Sequence, residues 1–174
     1  MPEHLTLADL GAFEKDVYPV GRLDRDSEGL LILTNDKSLT NKLLDPKFGH
    51  KRTYWVQVDG IPDASDLQQL RAGVTIKLKK GKYQTRPAKA QLLGDVNLEE
   101  RNPPVRFRKH IPTTWIALTL TEGKNRQVRK MCAQIGHPCL RLIRVAIEDL
   151  QLNDLKIGAV KTLPEKTIKR LLNL

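Results

Sequence analysis

The chain has 174 residues, 40% of them hydrophobic, which suffices for one compact domain or for two small lobes sharing a core. No apolar run approaches the roughly 18–20 residues of a membrane-spanning helix, and the first fifteen residues carry Glu3, Glu14 and Lys15 with no apolar block, so neither a membrane span nor a signal peptide is expected. Thirty Lys and Arg against twenty Asp and Glu give a formal charge of +10, and with a mean hydropathy of −0.41 this is globular but basic matter, suited to a polyanion whose counterions are released on binding.

In chain order, an apolar turn at Tyr18-Pro19-Val20-Gly21 leads into Arg22-Leu-Asp-Arg-Asp-Ser-Glu-Gly29 and then Leu30-Leu-Ile-Leu33. Four apolar residues bounded by Gly29 and Asn35-Asp36 read as an interior strand. The spacing predicts a helix over Asp36–Leu44, with Asp36 as N-cap, and Pro46 stops it. Lys51–Val58 alternates Tyr54, Val56 and Val58 against polar neighbours, the period of a strand. Asp63–Ala72 reads as a helix with Gly73 as a left-handed terminator. Val74–Leu78 is a strand running into a basic turn, Lys77 to Lys82. Residues Arg101–Pro112 hold three prolines and five basic side chains and read as an irregular arm. Trp115–Leu120 resumes strand patterning.

Asn125–Ile135 is the most regular helix, with Val128, Met131, Cys132 and Ile135 on one stripe and Gly136 as stop. On that wheel Arg129 flanks the stripe, whereas Arg126 and Lys130 face solvent. Leu140–Ile147 is a further strand, and Pro164–Leu172 a final helix opened by proline. Strands and helices mix without regular alternation, so the expected class is α+β with a largely antiparallel, mixed sheet flanked by helices. Two cysteines, Cys132 and Cys139, form no disulfide framework and suit a reducing, cytoplasmic compartment.

Asp24, Asp26 and Glu28 fall within five residues of a basic chain. They fit a polar turn whose acids cap amides or pair with Arg22 and Arg25. They also copy the first half of a calcium loop, but the twelfth position is Asn35, not glutamate, and the flanks read as strands. A third reading is catalytic: an acid held between arginines stays ionised and serves as nucleophile or base. A zinc site at Cys132, His137 and Cys139 lacks a fourth ligand, so no metal is expected.

Gly21-Arg-Leu-Asp-Arg-Asp-Ser-Glu-Gly-Leu-Leu31 with Leu33-Thr-Asn-Asp36 resembles the signature of the RsuA-type ribosomal-RNA pseudouridine synthases. Arg52-Thr-Tyr-Trp-Val-Gln-Val-Asp-Gly60 is similar to the tyrosine-bearing strand of that family. Glu122-Gly-Lys-Asn-Arg-Gln-Val-Arg-Lys-Met131, with Gly136-His-Pro and Leu140-Arg-Leu-Ile-Arg144, is similar to its third block. Arg101-Asn-Pro-Pro104 and Ile111-Pro-Thr-Thr-Trp115 resemble the large-subunit branch known as type E. The resemblance runs from about Leu5 to Leu155. The family's opening Phe-x-Lys-Pro strand and its S4-type RNA-binding module have no counterpart here.

The resemblance implies a pseudouridine-synthase catalytic fold with a central active-site cleft, a single domain over residues 1–174 in two lobes, and isomerisation of a uridine in large-subunit ribosomal RNA without a cofactor. It implies Asp24 as the essential carboxylate, Tyr54 as the residue stacking on the target base, Arg129 as the ion-pair partner of Asp24, Arg22 as the side chain that enters the RNA helix, and Leu142 as pocket lining. Arg25, Lys79, Lys80, Lys82, Arg106, Arg108, Lys109, Arg126 and Lys130 are the expected contacts to RNA, free or in a pre-ribosomal particle. A monomer is expected. A non-catalytic RNA-binding or ribosome-assembly module retaining the fold is the alternative; the intact set Asp24, Tyr54 and Arg129 argues against it.

Overall fold

A computed structural model describes residues 6–105 and 110–174. Its elements, in chain order, are β1 (Tyr18–Pro19), β2 (Glu28–Gly29), β3 (Leu33–Thr34), α1 (Lys37–Leu44), β4 (Arg52–Asp59), α2 (Ala64–Ala72), β5 (Thr75–Leu78), β6 (Gly81–Gln84), β7 (Lys89–Leu92), β8 (Thr113–Leu120), α3 (Gln127–Gln134), β9 (Cys139–Ile147), β10 (Leu150–Gln151) and α4 (Glu165–Leu171).

The alternation along β4 makes it the centre of the main sheet. It pairs antiparallel with β8 on one side and with β9 on the other, β7 extends the sheet beyond β8, and β10 extends it beyond β9. β2 adds to β9 in parallel, Glu28 opposite Ile143 and Gly29 opposite Arg144. The class is therefore α+β with a largely antiparallel sheet, as expected. Val56 and Val58 point with Ile116, Leu118 and Leu142 into the main core, which α2 closes with Leu67 and Leu70 and α3 closes with Val128, Met131 and Cys132. A smaller cluster joins Val20, Ile32, Leu39, Leu43 and Ile147 to Leu172, so the C-terminal helix is anchored by a fully buried side chain.

Local rules account for several boundaries. The Asp36 carboxylate accepts from the amides of Ser38 and Leu39 at 2.8 and 3.0 Å and caps α1. Asp63 and Asp66 form a reciprocal capping box at the start of α2. Three expectations fail. Leu30–Leu33 is not one strand, because the segment changes partners midway. The Leu30 amide donates to Arg144 O, whereas Ile32 O accepts from Val20 as the chain turns to pair β3 with β1. Gly73 has the positive φ expected of a helix terminator, 90°, but its ψ of 149° lies outside the left-handed helical region. Glycine is required there by proximity, as a Cβ would lie 2.3 Å from Thr85 O. The third helix begins at Gln127, not Asn125, because Arg126 adopts φ 52° and ψ 36°.

Among the described residues no helix is long and apolar enough to cross a membrane. Leu70 is fully buried and Ile61 is 66% exposed. Leu70→Ala is therefore expected to cost about 2–5 kcal/mol in urea unfolding. Ile61→Ala is expected to change stability by no more than about 0.5 kcal/mol.

Candidate active site

The acidic segment folds as a turn, closed by the Ser27 amide donating to Asp24 O at 2.9 Å. Its downstream end is pinned to β9. Gly29 has φ +103°, and a Cβ there would meet Arg144 O at 2.3 Å, so only glycine lets the turn lie this close to the sheet. Arg141, buried on β9, forms a two-point pair with Glu28 at 3.0 and 2.8 Å and donates its remaining nitrogen to Glu99 O. Arg101, from the basic arm, lies 3.7 Å from the same carboxylate and so turns inward. Arg144 Nε donates to Leu30 O at 2.8 Å.

The upstream end of the turn is pinned to α3. Arg126 Nη1 and Nη2 each donate to one Asp26 oxygen at 3.0 Å. Arg129 Nη2 donates to the Asp26 backbone oxygen at 2.7 Å and sits 3.3 Å from its carboxylate. Hydrogen bonding from Arg126 chiefly, with the Arg129 charge, outweighs burial and holds the Asp26 carboxyl below its ordinary range. Asp24 has a looser tie. Its side chain is 25% exposed, and Arg126 Nη1 approaches it at 3.9 Å.

This geometry corrects the expected pairing. Arg129 engages Asp26, not Asp24, and the guanidinium that pairs with Asp24 at 3.9 Å belongs to Arg126, which was expected to face solvent. The cause is the left-handed conformation of Arg126, which takes it off the helical wheel and points it at the turn. This backbone sets both terminal nitrogens of Arg126 against the two Asp26 oxygens. Lys130 is half-buried rather than solvent-facing.

Tyr54 is half-buried on β4, on the face shared with Val56, and packs against the main core. It stands in register with Arg144 of β9. Burial pushes the Arg144 pKa down, opposed by its contact with the Tyr54 hydroxyl. Leu142 is buried opposite Val56 in the same core. Arg22 and Arg25 are exposed beside Asp24, and Lys79, Lys80 and Lys82 are exposed on the β5–β6 hairpin. Arg106, Arg108 and Lys109 lie outside the described residues.

Among the described residues no cluster of three or more His, Cys, Asp or Glu side chains is placed to hold a metal. Cys132 is buried in the core, where burial drives its thiol pKa far up, and burial likewise raises Cys139 to about 11. His137 bridges Asp59 O at 2.7 Å and the Asp66 carboxylate at 3.0 Å, tying the loop between α3 and β9 to the end of β4 and to α2. Sequence reasoning missed the Arg141–Glu28 pair and the buried acid Glu122. The only hint was an isolated Glu between a strand and Gly123, within the third motif block.

Residues 2–134 match the family model described as RNA pseudouridylate synthase. The chain is 56% identical over 147 residues to ribosomal large subunit pseudouridine synthase E of Vibrio parahaemolyticus, covering 84% of this chain and 60% of that protein. It is 54% identical over 156 residues to the protein of the same name from Vibrio vulnificus, covering 90% and 64%. A crystal structure of a pseudouridylate synthase superposes with a TM-score of 0.77 at 27% identity, covering 95% of this chain and 65% of that one. The chain belongs to the RNA pseudouridylate synthase family. It spans about three-fifths of the length of the two Vibrio proteins.

Because the folded state favours the ionised Asp26, its contribution to stability is complete above the ordinary carboxylate value of 3.8 and disappears as pH falls through the lowered folded value. Asp26→Asn should therefore be less stable than wild type at pH 7, and the two urea midpoints should converge below pH 3.8. A gap that persists at acid pH would mean that the charge is not what Asp26 contributes.

Proposed function

We propose that this chain converts a uridine of structured large-subunit ribosomal RNA to pseudouridine, with Asp24 as the essential carboxylate. The observation that carries this reading is the division of work among the three acids of the turn. Asp26 and Glu28 are each held by a two-point arginine pair, whereas Asp24, among the described residues, makes no such pair and has Arg126 Nη1 3.9 Å away. That leaves the Asp24 carboxylate unclamped with a cation nearby, as a group that must act on a ribose carbon requires.

The reaction breaks the bond from C1′ to N1, turns the detached uracil, forms the bond from C1′ to C5, and transfers the C5 proton away while N1 gains one. Positive character develops at the sugar in the first step, and the Asp24 carboxylate meets it, as nucleophile at C1′ or as base towards a sugar proton. Atoms and electrons balance within the substrate, so no cofactor is required. Tyr54 stacks on the target base at the mouth of the sheet, and Leu142 backs it from the core. Arg129 acts by holding the Asp26 backbone and thereby the turn. Arg126 serves Asp24 electrostatically. A stacked nucleotide hides its glycosidic bond, so the target must be extruded, and exposed Arg22 enters the RNA in its place.

Arg25, Lys130 and the hairpin lysines 79, 80 and 82 line the path of the RNA backbone, with Arg106, Arg108 and Lys109 assigned to it on sequence grounds. The two hydrophobic clusters support reading the chain as two lobes of one catalytic unit. Ribosomal RNA as substrate supports a cytoplasmic setting.

Asp24→Asn should abolish pseudouridine formation in a large-subunit RNA transcript while leaving RNA affinity within about twofold, because the swap is isosteric and removes only the charge. Tritium release from RNA labelled at uridine C5 reads this directly. Turnover by a pure Asp24→Asn protein would sink the assignment, and a wild-type protein that binds RNA but releases no tritium from any large-subunit segment would favour a binding module.

Reversing Lys79, Lys80 and Lys82 to Glu should weaken RNA binding and flatten its salt dependence, each lost phosphate contact on a duplex removing roughly 0.9 from the logarithmic slope. An unchanged slope in filter-binding titrations would mark the hairpin as mere solvated surface.

A further inference from the structure

Glu122 lies two residues beyond the end of β8 and is buried, with a side chain that accepts three hydrogen bonds from three separate parts of the chain. Tyr83 of β6 donates its hydroxyl to Oε2 at 2.5 Å. The Arg86 amide, just beyond the hairpin, donates to Oε1 at 2.8 Å. Gln127, the first residue of α3, donates Nε2 to Oε1 at 2.7 Å. Burial pushes the carboxyl up, but these three donors outweigh it and hold Glu122 ionised.

Gln127 is engaged at its other end as well, where Oε1 accepts from the Lys124 amide at 2.8 Å. That bond shapes the short loop in which Arg126 adopts its left-handed conformation, immediately before the helix. Lys124 in turn places its ammonium 5.0 Å from the centre of the Tyr83 ring. From the Arg86 side, the guanidinium donates to Pro46 O at 3.3 Å, which ties in the segment preceding β4. A single buried carboxylate thus joins the lysine-bearing hairpin, the approach to β4 and the first turn of α3. Arg126 and Arg129, which hold the Asp24–Ser27 turn, are one residue before and two residues after Gln127.

We propose that Glu122 is a positioning residue that locks the first turn of α3, and with it the Arg126 and Arg129 hold on the Asp24 turn, to the hairpin that carries Lys79, Lys80 and Lys82. RNA seated on the hairpin is thereby kept at a set distance from the reacting carboxylate. The inference rests on the isomerase reading above. It assigns to Glu122 no contact with RNA: the residue acts through Gln127.

Hydrogen bonding, rather than charge, is what this role needs. In Glu122→Gln the amide oxygen takes the place of Oε1 and still accepts from Arg86 and Gln127, while its NH2 donates to Tyr83 Oη. Glu122→Ala leaves all three partners without an acceptor. Gln127→Ala keeps the acid and cuts only the link to α3.

Single-turnover tritium release at saturating protein, together with RNA dissociation constants, tests the three variants at a temperature where circular dichroism shows each of them folded. Displacement of a reacting group by a fraction of an ångström to an ångström is expected to slow Glu122→Ala and Gln127→Ala by about ten- to a hundredfold, with RNA affinity within about twofold of wild type and Glu122→Gln within about threefold of the wild-type rate. Glu165→Gln, an exposed acid on α4, should match wild type throughout.

A purely structural role would lower the unfolding midpoint and leave the rate of folded protein unchanged, which overturns the proposal. So does a loss confined to RNA affinity, or a Glu122→Gln protein as slow as Glu122→Ala. Should Glu122→Ala fail to fold, Gln127→Ala decides, and a wild-type rate in that variant overturns it. A wild-type protein that releases no tritium defeats the isomerase reading itself. An active wild type beside a fully active Glu122→Ala defeats only the role of Glu122.

Discussion

The candidate site depends on the pairing of arginines with an acidic turn. Asp24, Asp26 and Glu28 stand within five residues, and left alone they would repel one another and leave the turn without a shape. Guanidinium groups from two elements distant in sequence prevent this: Arg126 and Arg129 from the start of α3, and Arg141 from β9. The planar fork of arginine matches a carboxylate at two points, so each pair sets orientation as well as distance. Lysine could neutralise the same charges without fixing where they sit. Two acids are held at two points each, whereas the third, Asp24, has among the described residues only the looser 3.9 Å approach of Arg126.

The clamp also changes what the net charge means. A surplus of ten positive charges reads at first as a surface prepared for phosphate. Several of the cations face inward instead: Arg141 and Arg144 are buried, Arg129 is 11% exposed at its side chain, and even Arg101 of the basic arm turns to Glu28. The positive surface left for a polyanion is narrower and more localised, with the β5–β6 hairpin as its clearest part among the described residues. Internal and external cations answer to different physics. The internal ones are held by close, partly desolvated hydrogen bonds, and the external ones act through screened interactions that weaken with salt.

Local features of the fold were legible wherever the determining contacts lie within a few residues. The caps at Asp36 and Asp63, the alternation of Tyr54, Val56 and Val58, the apolar stripe of Val128, Met131 and Cys132, and the proline-led final helix all follow from short-range geometry. Elements that exist only through distant partners were not legible. β7 is four residues whose pairing with β8 decides it. Leu30–Leu33 looks like one strand until β9 claims one end and β1 the other. Gly73 carries an ordinary helix-stop signal and has the positive φ that goes with it, but the close approach of Thr85 O, which also excludes a side chain there, exists only in the packed chain.

The candidate site divides along the same line. By itself the sequence determined the kinds of group available, namely three acids in one turn, a tyrosine on a central strand and a basic helix start, because residue identity and short spacing are one-dimensional facts. Which arginine meets which acid was decided only in three dimensions. A helical wheel assumes that Arg126 belongs to the helix, and its left-handed backbone breaks that assumption by a rotation no periodicity encodes. The burial of Glu122 beneath three donors likewise needs β6, β8 and α3 to converge, and convergence of segments some forty residues apart is a property of the packed chain alone.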